Sequence, residues 1–197
     1  MINVLLNRVN ACRECERYLP HGIRPVLQLS SQAKILIAGQ APGRKVHESG
    51  IPFDDASGER LRAWMGVDKA VFYDASQIAI LPMGFCYPGT GKTGDLPPRK
   101  ECAVKWRASL LAAMPNVQLV LVIGKYAQDY HLDSAICGKG ATVTDIVAAW
   151  RSYLPTAMPL PHPSPRNNIW LKKNSWFESD VLPELKSRIN DLLYRET

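Results

Sequence analysis

The chain has 197 residues, 46% of them hydrophobic, which is enough for one packed core and excludes disorder throughout. No run of about 18 apolar residues occurs, so no membrane-spanning helix is expected. Twenty-four Lys and Arg against 18 Asp and Glu give a formal charge of +6, a balance compatible with a polyanionic partner such as nucleic acid.

In chain order, residues 2–11 carry Val4, Leu5 and Val9 at helical spacing and lead into Cys12 and Cys15. A loop through Pro20, Gly22 and Pro25 follows. Lys34–Gly39 (KILIAG) is a short apolar run closed by a Gly/Pro turn, the pattern of a buried parallel strand. Residues 40–56 read as one long loop, and its length alone marks it as functional. Residues 57–64 read as a helix opened by Ser57. Residues 78–82 form a second strand and run into the loop carrying Cys86. Residues 101–114 are helical in pattern, with Trp106, Leu110 and Leu111 on one side.

The clearest strand is 117–124 (VQLVLVIG), whose near-continuous apolar run predicts a central, doubly covered position. Residues 125–132 and 143–153 read as helices, and 157–161 as a short strand running into HPSPRN. The tail 178–194 is amphipathic, with Val181, Leu185, Ile189 and Leu192 in register. Strands alternating with helices, with no repeat and no long linker, predict a single domain over 1–197. Its fold class is α/β, a three-layer αβα sandwich with a central, mostly parallel four-stranded sheet. Ligands of such sheets bind beyond the strand carboxyl ends. The site is therefore expected where the loops 39–44, 162–168 and the Cys86 loop converge.

Two cysteine pairs stand far apart in sequence. Cys12 and Cys15 form a C-x-x-C; Cys86 and Cys102 flank a stretch rich in Pro and Gly, which no regular helix can span. The N-terminal residues lack the basic segment and long apolar run of a secretory signal, so a cytoplasmic location is expected. In a reducing compartment clustered thiols favour metal or redox roles over disulfides. The ligand types alone leave Zn²⁺ and a [4Fe–4S] cluster both open, since each accepts four cysteines. Cys137 reads as a small buried hydrophobe.

The loop GQAPG presents backbone N–H groups and the side chain of Gln40. It lacks the glycine and lysine spacing of a nucleotide-phosphate loop. In PHPSPRN, Pro161, Pro163 and Pro165 stiffen the chain around His162 and Ser164. Such a rigid loop suits insertion into a nucleic-acid groove with one histidine donor. Phe53 could stack on an extruded base or anchor its loop to the core. Arg44, Lys45, Lys92, Arg99, Lys100, Arg166, Lys172 and Lys173 fall in or beside these loops and could meet phosphates. His21, His47 and His131 read as surface or structural residues.

In this order and spacing, GQAPGRKVHESGIPFDDASG (39–58), the quartet Cys12, Cys15, Cys86 and Cys102, and His162-Pro163-Ser164 resemble the uracil-DNA glycosylase superfamily. The similarity is to its iron–sulfur, family 4-like branch, across roughly residues 5–190. The resemblance implies an αβα sandwich, a [4Fe–4S] cluster held by the four cysteines, and base excision from DNA by a monomer. It implies catalytic roles for Gln40 and His162, a base pocket of Gly39, Ala41, Pro42 and Phe53, and DNA contacts from Ser164, Arg166 and Asn167. The chain departs from the family pattern at three places, one of them near Lys45 and Val46, where the family's next acidic cluster aligns and Glu48 lies nearby but out of register. Gln40 stands where the family has an acidic residue, and Pro82 stands where it has an asparagine that reads the uracil edge. Asp54 and Asp55 are candidate substitute carboxylates or, in the blander reading, loop caps. Three readings therefore stand as expectations: a glycosylase for a deaminated or damaged base, a relative without turnover that binds nucleic acid or a nucleotide in the same pocket, or a zinc-stabilised α/β protein unrelated to DNA.

Overall fold

The computed structural model of the chain describes residues 2–195. Its frame is a four-stranded sheet of β1 (Ile35–Ala38), β2 (Ile78–Ile80), β5 (Leu119–Ile123) and β6 (Ala157–Leu160), in the order β2-β1-β5-β6 with every pairing parallel. A two-stranded antiparallel hairpin, β3 (Thr90–Gly91) with β4 (Gly94–Asp95), stands apart from it. The helices are α1 (Ile2–Asn10), α2 (Arg44–Ser49), α3 (Ala56–Met65), α4 (Lys69–Phe72), α5 (Lys100–Cys102), α6 (Ala108–Ala112), α7 (Gly124–His131), α8 (Ser134–Cys137), α9 (Val143–Ala148), α10 (Asn168–Lys173) and α11 (Leu182–Tyr194). They cover the sheet on both faces, which gives the three-layer sandwich.

The alternation of strand side chains builds the layers. In β1, Ile35 and Ile37 turn to a core completed by Leu61, Trp64 and Met65 of α3 and by Leu185 and Ile189 of α11. Leu36 turns the other way, to Val9 of α1, Trp106 and Leu110, while Ala38 and Val122 meet Ala127 and Ile146 under α7 and α9. Each fully buried aliphatic or aromatic side chain contributes about 1.5–3 kcal/mol by leaving water. Both faces are covered, so β1 and β5 read as unbroken apolar runs rather than alternating ones.

Three readings from the sequence change here. The long loop 40–56 contains α2, capped at its end by Gly50 in the left-handed conformation, with Arg24 donating to the carbonyls of His47 (2.8 Å) and Glu48 (2.7 Å). The cap of α3 is Asp55, not Ser57: its carboxylate accepts from Gly58 N–H at 2.9 Å, the helix-capping role expected of a short acid at that place. Between α5 and α6 the helix widens into a π-helical segment, Ala103–Arg107, that the apolar spacing of 101–114 does not reveal; a second, Phe177–Val181, precedes α11. The hairpin β3–β4 was also invisible in the sequence, because two-residue strands carry no period.

Candidate active site

The loops leaving β1, β2 and β6 meet over the strand carboxyl ends and enclose a pocket of about 500 Å³. It is lined by Gly39, Gln40, Ala41 and Pro42 of the first loop, by Phe53 and Pro82, and by His162, Ser164, Arg166 and Asn167. All nine non-cysteine residues expected at the site therefore line one cavity, and its volume falls in the ordinary range for a small organic ligand. The hairpin β3–β4 adds Thr93, Gly94 and Asp95, and α2 adds Arg44 and Lys45.

The 162–167 loop is tied down from several sides. Ser164 N–H donates to His162 Nδ1 at 3.1 Å, and Asn167 Nδ2 donates to the His162 carbonyl at 2.7 Å. Arg60 of α3 donates to the Ser164 carbonyl (3.1 Å) and to Asn168 Oδ1 (2.8 Å). Beneath it, the buried Gln128 donates to the Leu160 carbonyl at 3.2 Å. Because Nδ1 accepts, the neutral imidazole carries its proton on Nε2, which has no partner among the described residues. Burial pushes the His162 pKa down from its ordinary value, against the opposing pull of Asp55 and Asp95. The ring is thus a neutral donor at pH 7.

Phe53 is the only non-glycine residue among those described with a positive φ, +54°. Several contacts hold that conformation. Tyr73 Oη donates to the Pro52 carbonyl at 3.0 Å, and Phe53 meets Phe72 edge to face at 6.1 Å. Gly58 approaches so closely that a Cβ there would sit 1.8 Å from the Phe53 carbonyl oxygen. The ring tip of Phe53 lies over Gly39, 3.6 Å from where a Cβ would be. A bulky residue kept in a sparsely populated backbone region by surrounding structure is the pattern found at ligand clamps. The aromatic is both an anchor packed on the core and a wall of the pocket.

Pro82 lines the pocket, and its carbonyl accepts from Arg107 Nη1 at 2.9 Å. Arg107 is fully buried and also donates to the Leu81 carbonyl (3.2 Å) and, from Nε, to His131 Nε2 (3.0 Å). Desolvation, reinforced by the Arg107 charge, drives His131 down to about 3, so it stays a neutral acceptor. His131 is thus structural, as its sequence context suggested.

The four cysteines Cys12, Cys15, Cys86 and Cys102 line a second, small hollow with Val9, Leu19, Phe85, Trp106 and Arg99. None is in a disulfide. Burial pushes the thiols of Cys86 and Cys102 up to about 11 and about 12, and the nearby Cys15 and Cys12 add to this. Among the described residues, no group of three or more His, Cys, Asp or Glu side chains is arranged to hold a single metal ion. Arg99 belongs to this hollow rather than to the phosphate-facing set: it pairs with Glu101 and lies over the ring of Tyr18 at 4.2 Å. Cys137 packs apart, with its Sγ 3.2 Å from Tyr153 Oη. No helix is long and apolar enough to cross a membrane among the described residues.

Asp95 was missed by sequence reasoning. It lies in a Gly- and Pro-rich stretch where nothing local distinguishes it from a turn aspartate. Residues 27–186 match the family model of the uracil DNA glycosylase superfamily, a span that holds both pocket loops, Cys86 and Cys102 and starts after Cys12 and Cys15.

Proposed function

The chain belongs to the uracil DNA glycosylase superfamily, and on that footing we propose that it hydrolyses the N-glycosidic bond of a deaminated or damaged base in DNA. The observation that carries this reading is His162: a neutral imidazole, held by its own loop through Nδ1, with Nε2–H left as a donor in a pocket that Phe53 also lines. The target base must leave the stack to enter such a pocket. Phe53 stacks on it there. As the C1′–N bond breaks, the electron pair departs on the base, and Nε2–H hydrogen-bonds the oxygen on which negative charge grows. A pre-aimed donor of this kind is worth about 10²–10³ in rate. Gln40 orients the base edge or the attacking water from the first loop.

Ser164, Arg166 and Asn167 lie on the rim, where they would meet the DNA backbone. Ile169, 69% exposed just beyond them, is an apolar side chain suited to fill the gap left by an extruded base. Pro82 offers no side-chain donor or acceptor to a pyrimidine edge, which favours a base other than uracil or a broad preference. The deciding experiment incubates iron-replete protein with single- and double-stranded DNA carrying uracil, hypoxanthine or xanthine. Abasic sites from at least one are expected. Salt-dependent binding with no base release from any would instead favour a relative without turnover.

We further propose that Cys12, Cys15, Cys86 and Cys102 hold a [4Fe–4S] cluster. The donor set supports it: four unbridged thiols line one hollow, the Cys₄ complement that such a cluster takes. When bound, the cluster would deprotonate the thiols and cross-link α1's end, the Cys86 loop and α5. Brown protein absorbing near about 400 nm, with that band lost in Cys102→Ser, is expected. Colourless protein with stoichiometric zinc would overturn the assignment.

A further inference from the structure

Base release needs a carboxylate or its equivalent near C1′, because the sugar becomes an oxocarbenium-like cation and the water attacking it must lose a proton. The first loop supplies none, since its side chains at 40, 41 and 42 are Gln, Ala and Pro. The pocket lining contains two carboxylates, Asp55 and Asp95. Asp55 is committed to capping α3, with Oδ1 accepting from Gly58 N–H. Asp95 makes no side-chain hydrogen bond or ion pair with any described residue.

The hairpin is held so that β4 faces the pocket. Tyr87 Oη and Thr90 Oγ1 share a hydrogen bond of 2.5 Å, and Leu96 N–H donates to the Gly89 carbonyl at 2.8 Å. On the pocket side, the Arg166 guanidinium lies against Gly94, where a Cβ would sit 2.5 Å from Nη1. Gly94 has φ +144°, a conformation open to glycine, and it sets the direction in which Asp95 leaves the turn. Asp95 Oδ2 ends beside Gly43, 3.6 Å from the position of a Cβ there, at the foot of the GQAPG loop. Its charge is also felt by His162 across the cavity. The donor and the free carboxylate thus face one space from opposite loops.

Resting on the base-release reading above, we propose that Asp95 is a catalytic residue, supplying from the hairpin the carboxylate that the GQAPG loop lacks. The C1′–N bond breaks with its electron pair on the base, which His162 Nε2–H stabilises. Asp95 offsets the positive charge at C1′ and takes one proton from water as the water oxygen bonds to C1′. The departed base anion is protonated from solvent, and Asp95 returns its proton to solvent. The products are the free base and an abasic site.

The test compares wild type with Asp95→Asn, an isosteric change on an exposed side chain, after a thermal melt checks that both are folded. Duplexes carry either a cationic pyrrolidine or a neutral tetrahydrofuran in place of the target nucleoside. Wild type is expected to favour the cationic duplex about tenfold or more, and Asp95→Asn to lose that preference while binding the neutral duplex equally well. Single-turnover release of whichever base the wild type removes is expected to fall about 100-fold or more in the variant. No preference in wild type, or a preference that survives in Asp95→Asn, overturns the assignment; so does base release at an unchanged rate. If wild type releases no base, the glycosylase reading falls, and the two analogue affinities alone decide the role of Asp95.

Discussion

Arg107 Nη1 donates to the carbonyl of Pro82 at 2.9 Å, and this contact joins the helix that follows Cys102 to the lining of the pocket. Arg107 closes the π-helical segment, where the widened turn carries its guanidinium under the end of β2. Three acceptors converge on it: the carbonyls of Leu81 and Pro82 and the ring of His131. A buried cation thus ties the helix that starts beside Cys102 to the strand end that carries Pro82.

Replacing Arg107 by Met leaves those acceptors buried and unpaired. An unsatisfied buried acceptor costs about 1–3 kcal/mol, so Arg107→Met is expected to lose about 3 kcal/mol or more of unfolding free energy. Urea denaturation measures this. A midpoint within error of wild type would show that the carbonyls find other partners.

His131 gives the protein an acid-side instability. Its folded pKa is about 3, while an unfolded histidine titrates near 6.5. Between those values the unfolded chain binds the extra proton, so stability falls as pH drops from about 6.5 toward 3, by at most about 1.4 kcal/mol per pH unit for this group. His162, also shifted down by burial, adds in the same direction. His131→Gln keeps an acceptor for Arg107 and is expected to flatten the fall in melting temperature between pH 6.5 and 4.

His162→Ala removes the one pocket donor whose partner nitrogen is fixed by its own loop. Base release is expected to drop about 10²–10³-fold, with the affinity for DNA bearing a neutral abasic analogue little changed. A matching loss in that affinity would make His162 a binding residue instead. Because the imidazole acts neutral, the wild-type rate is expected to hold level as pH rises through 6.5 rather than fall.

Gly58→Ala tests the clamp on Phe53. The new Cβ would fall 1.8 Å from the Phe53 carbonyl oxygen, which no side-chain rotation can relieve. The loop must shift, and Phe53 leaves its left-handed conformation. Lower thermal stability is expected, together with base release impaired beyond what the melting shift accounts for. Unchanged kinetics would show that the position of Phe53 is not needed.

Much of this was legible in the residues alone. The apolar runs 34–39 and 117–124 are strands because a sheet covered on both faces selects unbroken hydrophobic stretches, and that is a local pattern. GQAPG and HPSPRN stood out as short motifs of rigid residue types and line one pocket, and the cysteine quartet lines a second hollow. They also fixed which loops would meet, since parallel strands put all their carboxyl ends on one side. The helix α2 inside 40–56 escaped because its six residues are too few to display a period. The cap of α3 fell to Asp55, where the Phe53 turn sets the chain direction.

What the tertiary structure decided rests on contacts between distant residues. Asp95 enters the pocket only because a hairpin with no sequence signature folds over GQAPG. Arg107 and His131, 24 residues apart, meet only once the π-helical turn is brought against the last residue of α7. The protonated nitrogen of His162 follows from a hydrogen bond within its own loop, which Arg60 braces from α3. Sequence determined which residue types could do chemistry and on which strand ends they stand. Orientation, charge state and the identity of the unpaired carboxylate came from packing, because desolvation and hydrogen-bond partners are set by neighbours that the chain brings from elsewhere.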